Sequence, residues 1–137
     1  MLNSLQNKNN LIALIGASND PKKYGNKILL DLVLKGYNVA PINNKEDYIA
    51  GIKSYESVLY LNDVPSIINF VVPPKTGFKI TKELVENDFD NFWYQPGAES
   101  KEISTLLINK NKNFIDDKCI MVAVSYTHLT LPTTYGV

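Results

Sequence analysis

Residues 11–28 read LIALIGASNDPKKYGNKI, and this stretch decides the fold. Residues 11–15 form an unbroken apolar run that stops at Gly16. A run of that length, ended by a turn residue, reads as a parallel strand buried on both faces. Residues 17–25 are a polar loop containing Pro21, and residues 26–35 then predict a helix. Lys27, Asp31 and Lys35 share one helical stripe, with Ile28, Leu29, Leu32 and Val33 on the other side. Gly36 suits the position just past the helix end.

The same alternation continues outward. Residues 37–42 predict a second strand, and residues 43–62 are irregular, with a short strand or turn near 51–54. Residues 66–72 predict a third strand cut off by Pro73-Pro74. A helix over 76–86 follows, with Phe78, Thr81, Leu84 and Val85 toward the sheet. Residues 91–94 predict a fourth strand, and 99–109 a helix with Ile103, Leu106 and Leu107 inward. Residues 113–115 predict a fifth strand, and the apolar segment 119–122 should pack nearby. Strands alternating with helices mean βαβ units and a parallel sheet covered on both faces. The expected fold is a Rossmann-like three-layer α/β sandwich with a five-stranded parallel sheet in the order 3-2-1-4-5. Its ligand crevice should open at the carboxyl ends of strands 1 and 4, bringing Gly16-Ala17-Ser18 beside Gln95-Pro96-Gly97.

Bulk properties narrow the function classes. A chain of 137 residues, 45% of them hydrophobic, fits one globular domain. Formal net charge is zero and every basic residue is Lys, which argues against a nucleic-acid partner. Cys119 stands alone, so no internal disulfide forms and a reducing cytoplasm is the expected location. Residues 1–10 form a polar arm without the apolar core of a signal peptide. No run approaches the ~20 apolar residues of a membrane span. Abundant Lys, Asn, Ile and Tyr point to an AT-rich, bacterial genome. The composition changes in residues 124–137, VSYTHLTLPTTYGV, which lack Lys and Asn and hold the single His, His128. This tail reads as a non-native or disordered extension, the alternative being a genuine Thr-rich edge strand. The expected domain therefore covers residues 11–123.

The first chemical candidate is the loop after strand 1. It feeds a helix N-terminus, where unpaired N–H groups and the dipole favour a phosphate. Gly16 permits close backbone approach, Ser18 can donate a hydrogen bond, and Lys22 or Lys23 can add charge. An ordinary strand-to-helix connection is the plainer reading. No GxxxxGK[ST] run exists, and Ser18 stands where a GxGxxG loop has its second glycine. After strand 2 comes Pro41-Ile42-Asn43-Asn44-Lys45, with no acid to hold a ribose. Lys45 suits a phosphorylated ribose instead, as in coenzyme A or NADP. Val71-Val72-Pro73-Pro74 forms a rigid apolar lip that suits a flat ring, or simply ends a strand.

Taken in order, IALIGASNDPKKYGNKI (12–28), GYNVAPIN (36–43), NFVVPP (69–74), WYQPGA (93–98) and DDKCIMV (116–122) resemble the single-domain CoA-binding protein family. They are similar, more distantly, to the N-terminal domain of the succinyl-CoA synthetase alpha subunit. The resemblance implies a CoA or acyl-CoA site. Gly16, Ala17, Ser18 and Lys22 would line its pyrophosphate end, and Asn43 and Lys45 the phosphorylated ribose. Val72 and Pro73 would flank the adenine, and Gln95 and Gly97 would sit where the pantetheine arm leaves.

The synthetase reaction requires a phosphorylatable His and a further domain. His128 lies in the divergent tail, so no complete catalytic site is expected. Cys119, among Ile120, Met121 and Val122, reads as packing rather than as a nucleophile. No Cys/His grouping has metal-ligand spacing. The expectation is a CoA-binding module with an unspecified protein partner. An NADP-type nucleotide-binding protein or oxidoreductase, or a scaffold with a vestigial site, are the alternatives.

Overall fold

A computed structural model of the protein describes residues 1–125. The sheet is built from β1 (Leu11–Ile15), β2 (Asn38–Ile42), β5 (Ile67–Phe70), β6 (Phe92–Tyr94) and β7 (Phe114–Ile115). These five strands are parallel and lie in the order β2-β1-β5-β6-β7. Between β2 and β5, β3 (Tyr48–Ile49) and β4 (Ile52–Lys53) form a small antiparallel hairpin. Its turn residues Ala50 and Gly51 have φ of 51° and 78°, the left-handed pair that tight hairpins favour.

Helices cover both faces. α1 (Tyr24–Leu34) lies on one side with the helical residues 120–125, while α2 (Pro74–Glu86) and α3 (Lys101–Asn109) lie on the other. Each face has its own core. Ile12, Leu14, Ile67 and Trp93 meet Ile28, Leu29, Leu32, Ile120 and Val124. Ala13, Ile68, Phe70 and Tyr94 meet Leu84, Ile103 and Leu107. The split follows strand alternation: neighbouring residues of a strand point to opposite faces. The three-layer α/β fold is therefore the one expected.

The strand order needs one correction. The expected order puts the strand over 66–72 beyond strand 2, but Ile67–Phe70 pairs directly with β1. The place beyond β2 is taken by a single parallel bridge from Tyr55 to Ile42. Counted as a rudimentary third strand, that bridge restores the 3-2-1-4 winding, and β5 becomes the fourth. The reversal of order thus falls between β1 and β5. Val71, not Gln95, is the immediate neighbour of Gly16 across the switch point, through the bond from Val71 N to Ile15 O at 2.9 Å.

Other differences are local. α1 starts at Tyr24, before the expected residue 26, and Val33 is exposed rather than inward. Its end matches expectation: Gly36 N bonds Val33 O and Tyr37 N bonds Leu32 O, closing the helix through a left-handed Gly36 with φ 87°. The polar arm is tied down. Leu2–Gln6 forms a 3₁₀ turn that buries Leu5, and Tyr37 Oη donates to Leu5 O at 2.9 Å. Packing also runs past residue 123: Val124 is fully buried, and Ser125 Oγ bonds Lys35 and Met121. The remainder of the divergent tail, residues 126–137 with His128, lies outside the described residues. Among the described residues no helix is long and apolar enough to cross a membrane.

Candidate functional site

Four loops meet at the carboxyl ends of the strands around a crevice of about 810 Å³. A volume of that size is ordinary for a small-molecule or cofactor site. The loop after β1 contributes Gly16, Ala17, Ser18 and Lys22, and the loop after β2 contributes Asn43 and Lys45. Val72 and Pro73 come from the end of β5, and Gln95 and Gly97 from the end of β6. All the candidate residues read from the sequence thus border one space.

Gly16 is where the backbone must come close. Its φ is 99°, and a Cβ there would lie 3.0 Å from both Val71 O and Val72 Cγ1. Gly25 is tighter still: a Cβ would stand 1.9 Å from Gly16 O. Only glycine lets the first turn of α1 press against the end of β1. Sequence reasoning left Gly25 in the loop without a role. Its signal was a glycine in a helix's first turn, the place where close helix–strand packing is needed.

The start of α1 has no side-chain cap. The N–H groups of Tyr24 and Gly25 find no acceptor among the described residues. Ser18 Oγ accepts from Asp20 N at 3.0 Å and keeps its own proton free to donate. Lys22, Lys23 and Lys45 border the crevice, none of them in an ion pair among the described residues. Among the described residues no Asp or Glu lines it. Unpaired cations, open N–H groups and a helix dipole on one side favour an anionic, phosphate-type ligand. The opposite wall, Val72-Pro73-Pro74, is apolar and rigid, with Pro74 opening α2.

Two candidates are largely occupied within the protein. Asn43 Nδ2 donates to Ala17 O at 2.9 Å, and its Oδ1 accepts from Lys45 N and Glu46 N. Asn43 therefore ties the β1 and β2 loops together and offers the crevice one N–H. Gln95 is only 5% exposed. Its Oε1 accepts from Ile120 N at 2.8 Å and its Nε2 donates to Cys119 Sγ at 3.1 Å. It fastens the start of the last helix to the lip of the crevice. Cys119 is half-buried and is held by this contact. Beneath the lip, Tyr94 bonds Thr81 at 2.6 Å, and burial pushes its hydroxyl far above the usual tyrosine range.

The fold and the crevice define a doubly wound α/β domain whose crevice is bordered, among the described residues, by lysines and by no carboxylate. The model of the CoA binding domain family matches residues 10–125, and the chain belongs to that family. It is 28% identical over 116 residues to the uncharacterized protein YneT of Bacillus subtilis, covering 85% of this chain and 86% of that protein. It is 31% identical to the alpha subunit of the ADP-forming acetate–CoA ligase II of Pyrococcus furiosus, covering 90% of this chain but 29% of the subunit. A solved structure of a conserved hypothetical protein from Pyrococcus furiosus superposes with a TM-score of 0.80 at 49% identity, covering 82% of this chain and 97% of the other.

Proposed function

We propose that the crevice binds CoA or an acyl-CoA, and that these residues form a binding module without a complete catalytic site. The observation that carries the reading is the composition of the crevice in a member of this family: among the described residues Lys22, Lys23 and Lys45 are in no ion pair and no carboxylate stands with them. The open first turn of α1 would take the pyrophosphate, aided by Ser18 and Lys22. Lys45 would meet the phosphorylated ribose, with Asn43 holding the loop that carries it. Val72 and Pro73 would lie against the adenine. The pantetheine arm would leave past Gly97, over a lip that Gln95 holds in place. Gly16 lets the β1 loop turn closely beside Val71 and Val72 on its way around this ligand, with φ 99° and no room for a Cβ.

The ligase relative contains the matching segment as less than a third of its length, so its reaction is not carried over. The proposed role is carriage, sensing or regulation of a partner in the cytoplasm. Denaturing the purified protein and weighing any released nucleotide by mass spectrometry tests the reading. CoA or an acyl-CoA is the expected species; a nicotinamide dinucleotide in its place would contradict it.

A further inference from the structure

We propose that a second cleft, meeting the crevice at Pro74, receives the acyl part of a CoA thioester and favours one that ends in a carboxylate. The inference rests on the CoA reading and adds the class of acyl group. The cleft, about 440 Å³, lies between the first turns of α2 and α3 and is bordered by Pro74, Lys75, Phe78, Lys79, Ser100 and Glu102. Pro74 borders both spaces. Sheet order puts this junction on the β5–β6 side of the crevice, away from Lys45 at β2. That is the side where Gly97 and Ala98 lead into Ser100, and a CoA whose adenine lies on Val72 and Pro73 would bend for its pantetheine arm to pass Gly97 and return to this junction.

The walls have two chemistries. Pro74 and Phe78 are apolar, and Phe78 packs against the core under α2 and α3. Lys75 and Lys79 stand one turn apart on the exposed side of α2, neither in an ion pair among the described residues. Among the described residues Glu102 is the one carboxylate bordering the cleft and bridges to neither. α2 has no side-chain cap, so its positive end stays open, whereas α3 is capped by Ser100 Oγ accepting from Ile103 N at 3.2 Å. A short methylene stem would lie on Pro74 and Phe78, and its terminal carboxylate would meet Lys75 and Lys79. A neutral acyl group of the same length would leave both lysines without a partner.

Calorimetric titration of the full chain with CoA, butyryl-CoA and succinyl-CoA tests this. The two acyl groups are equal in length and differ in ending on a methyl or a carboxylate. Succinyl-CoA should bind about fivefold more tightly than butyryl-CoA, the scale expected of exposed ion pairs. The double variant Lys75→Gln, Lys79→Gln should bring the two thioesters to equal affinity and leave CoA unchanged. Equal affinity in the wild type, or a preference that survives the double variant, overturns the inference while CoA binding stands. Failure of CoA itself to bind overturns the underlying reading, and this one with it.

Discussion

The two ends of the sheet treat their polar groups differently. At the amino end they are bonded within the protein. Lys8 Nζ donates to Lys35 O at 2.6 Å, closing the end of α1. Asn10 Nδ2 reaches Ser4 O, and Asn38 Nδ2 reaches Asn9 O. At the carboxyl end, among the described residues, Lys22, Lys23 and Lys45 are in no ion pair and the first N–H groups of α1 find no acceptor. Both ends use the same residue types, chiefly Lys and Asn. At the carboxyl end the amides of Asn43 and Gln95 are bonded within the protein too, so the contrast lies in the lysines and the open helix turn.

The comparison breaks most severely at Gly25. Gly25→Val would drive a branched side chain into Gly16 O, and should cost about 3 kcal/mol of stability in urea denaturation. Loss of the last described turn comes next. Truncation before Val124 removes a fully buried side chain and the Ser125 contact to Lys35. It should cost about 2 kcal/mol, whereas truncation after Ser125 should leave the melting temperature unchanged. Equal melting temperatures for the two truncations would return the domain boundary to residue 123.

Substitutions in the crevice should instead separate binding from stability. Gly16→Val is the exception: with φ 99° and a Cβ 3.0 Å from Val71 O and Val72 Cγ1 it should cost stability as well, and the displaced β1 loop should weaken CoA binding by about tenfold or more. Cys119→Ser should change affinity far less, and the reverse ranking by calorimetry would point to thiol chemistry. Lys22→Ala and Lys45→Ala should each weaken binding by about fivefold without altering the melting temperature. Lys8→Ala, at the other end, should lower the melting temperature and leave affinity alone. A drop in affinity from Lys8→Ala would dissolve the contrast between the two ends.

Much of this was legible in the chain because buried parallel strands and their loops leave strong local signals. The run 11–15, the Pro73-Pro74 stop and the glycine after α1 each carry their own physics. The loop residues named from the sequence meet in one crevice because the doubly wound topology brings all carboxyl ends together. What was not legible depended on distant partners. Ile67–Phe70 has the same apolar character whether it pairs with β1 or lies beyond β2, so its place could not be read from composition. The Tyr55 bridge is a single residue with no periodicity. Leu5 is one apolar residue in a polar arm, buried because Tyr37 and α1 are there to receive it. Gln95 was read as part of a ligand path, yet its side chain is held by Cys119 and Ile120, residues far along the chain.

On the proposed reading, CoA rather than a nicotinamide dinucleotide completes the open end of the sheet. Thermal unfolding of the full chain, titrated in parallel with CoA, NADP and NAD, tests it most directly. With CoA at about 100 times its Kd, the fold should gain about 2.7 kcal/mol and the melting temperature should rise accordingly. NADP and NAD should produce no comparable rise, since Ser18 stands where a dinucleotide loop has its second glycine, and for NAD also because Lys45 replaces the ribose-binding acid. A shift with NADP or NAD equal to or larger than that with CoA would contradict the account.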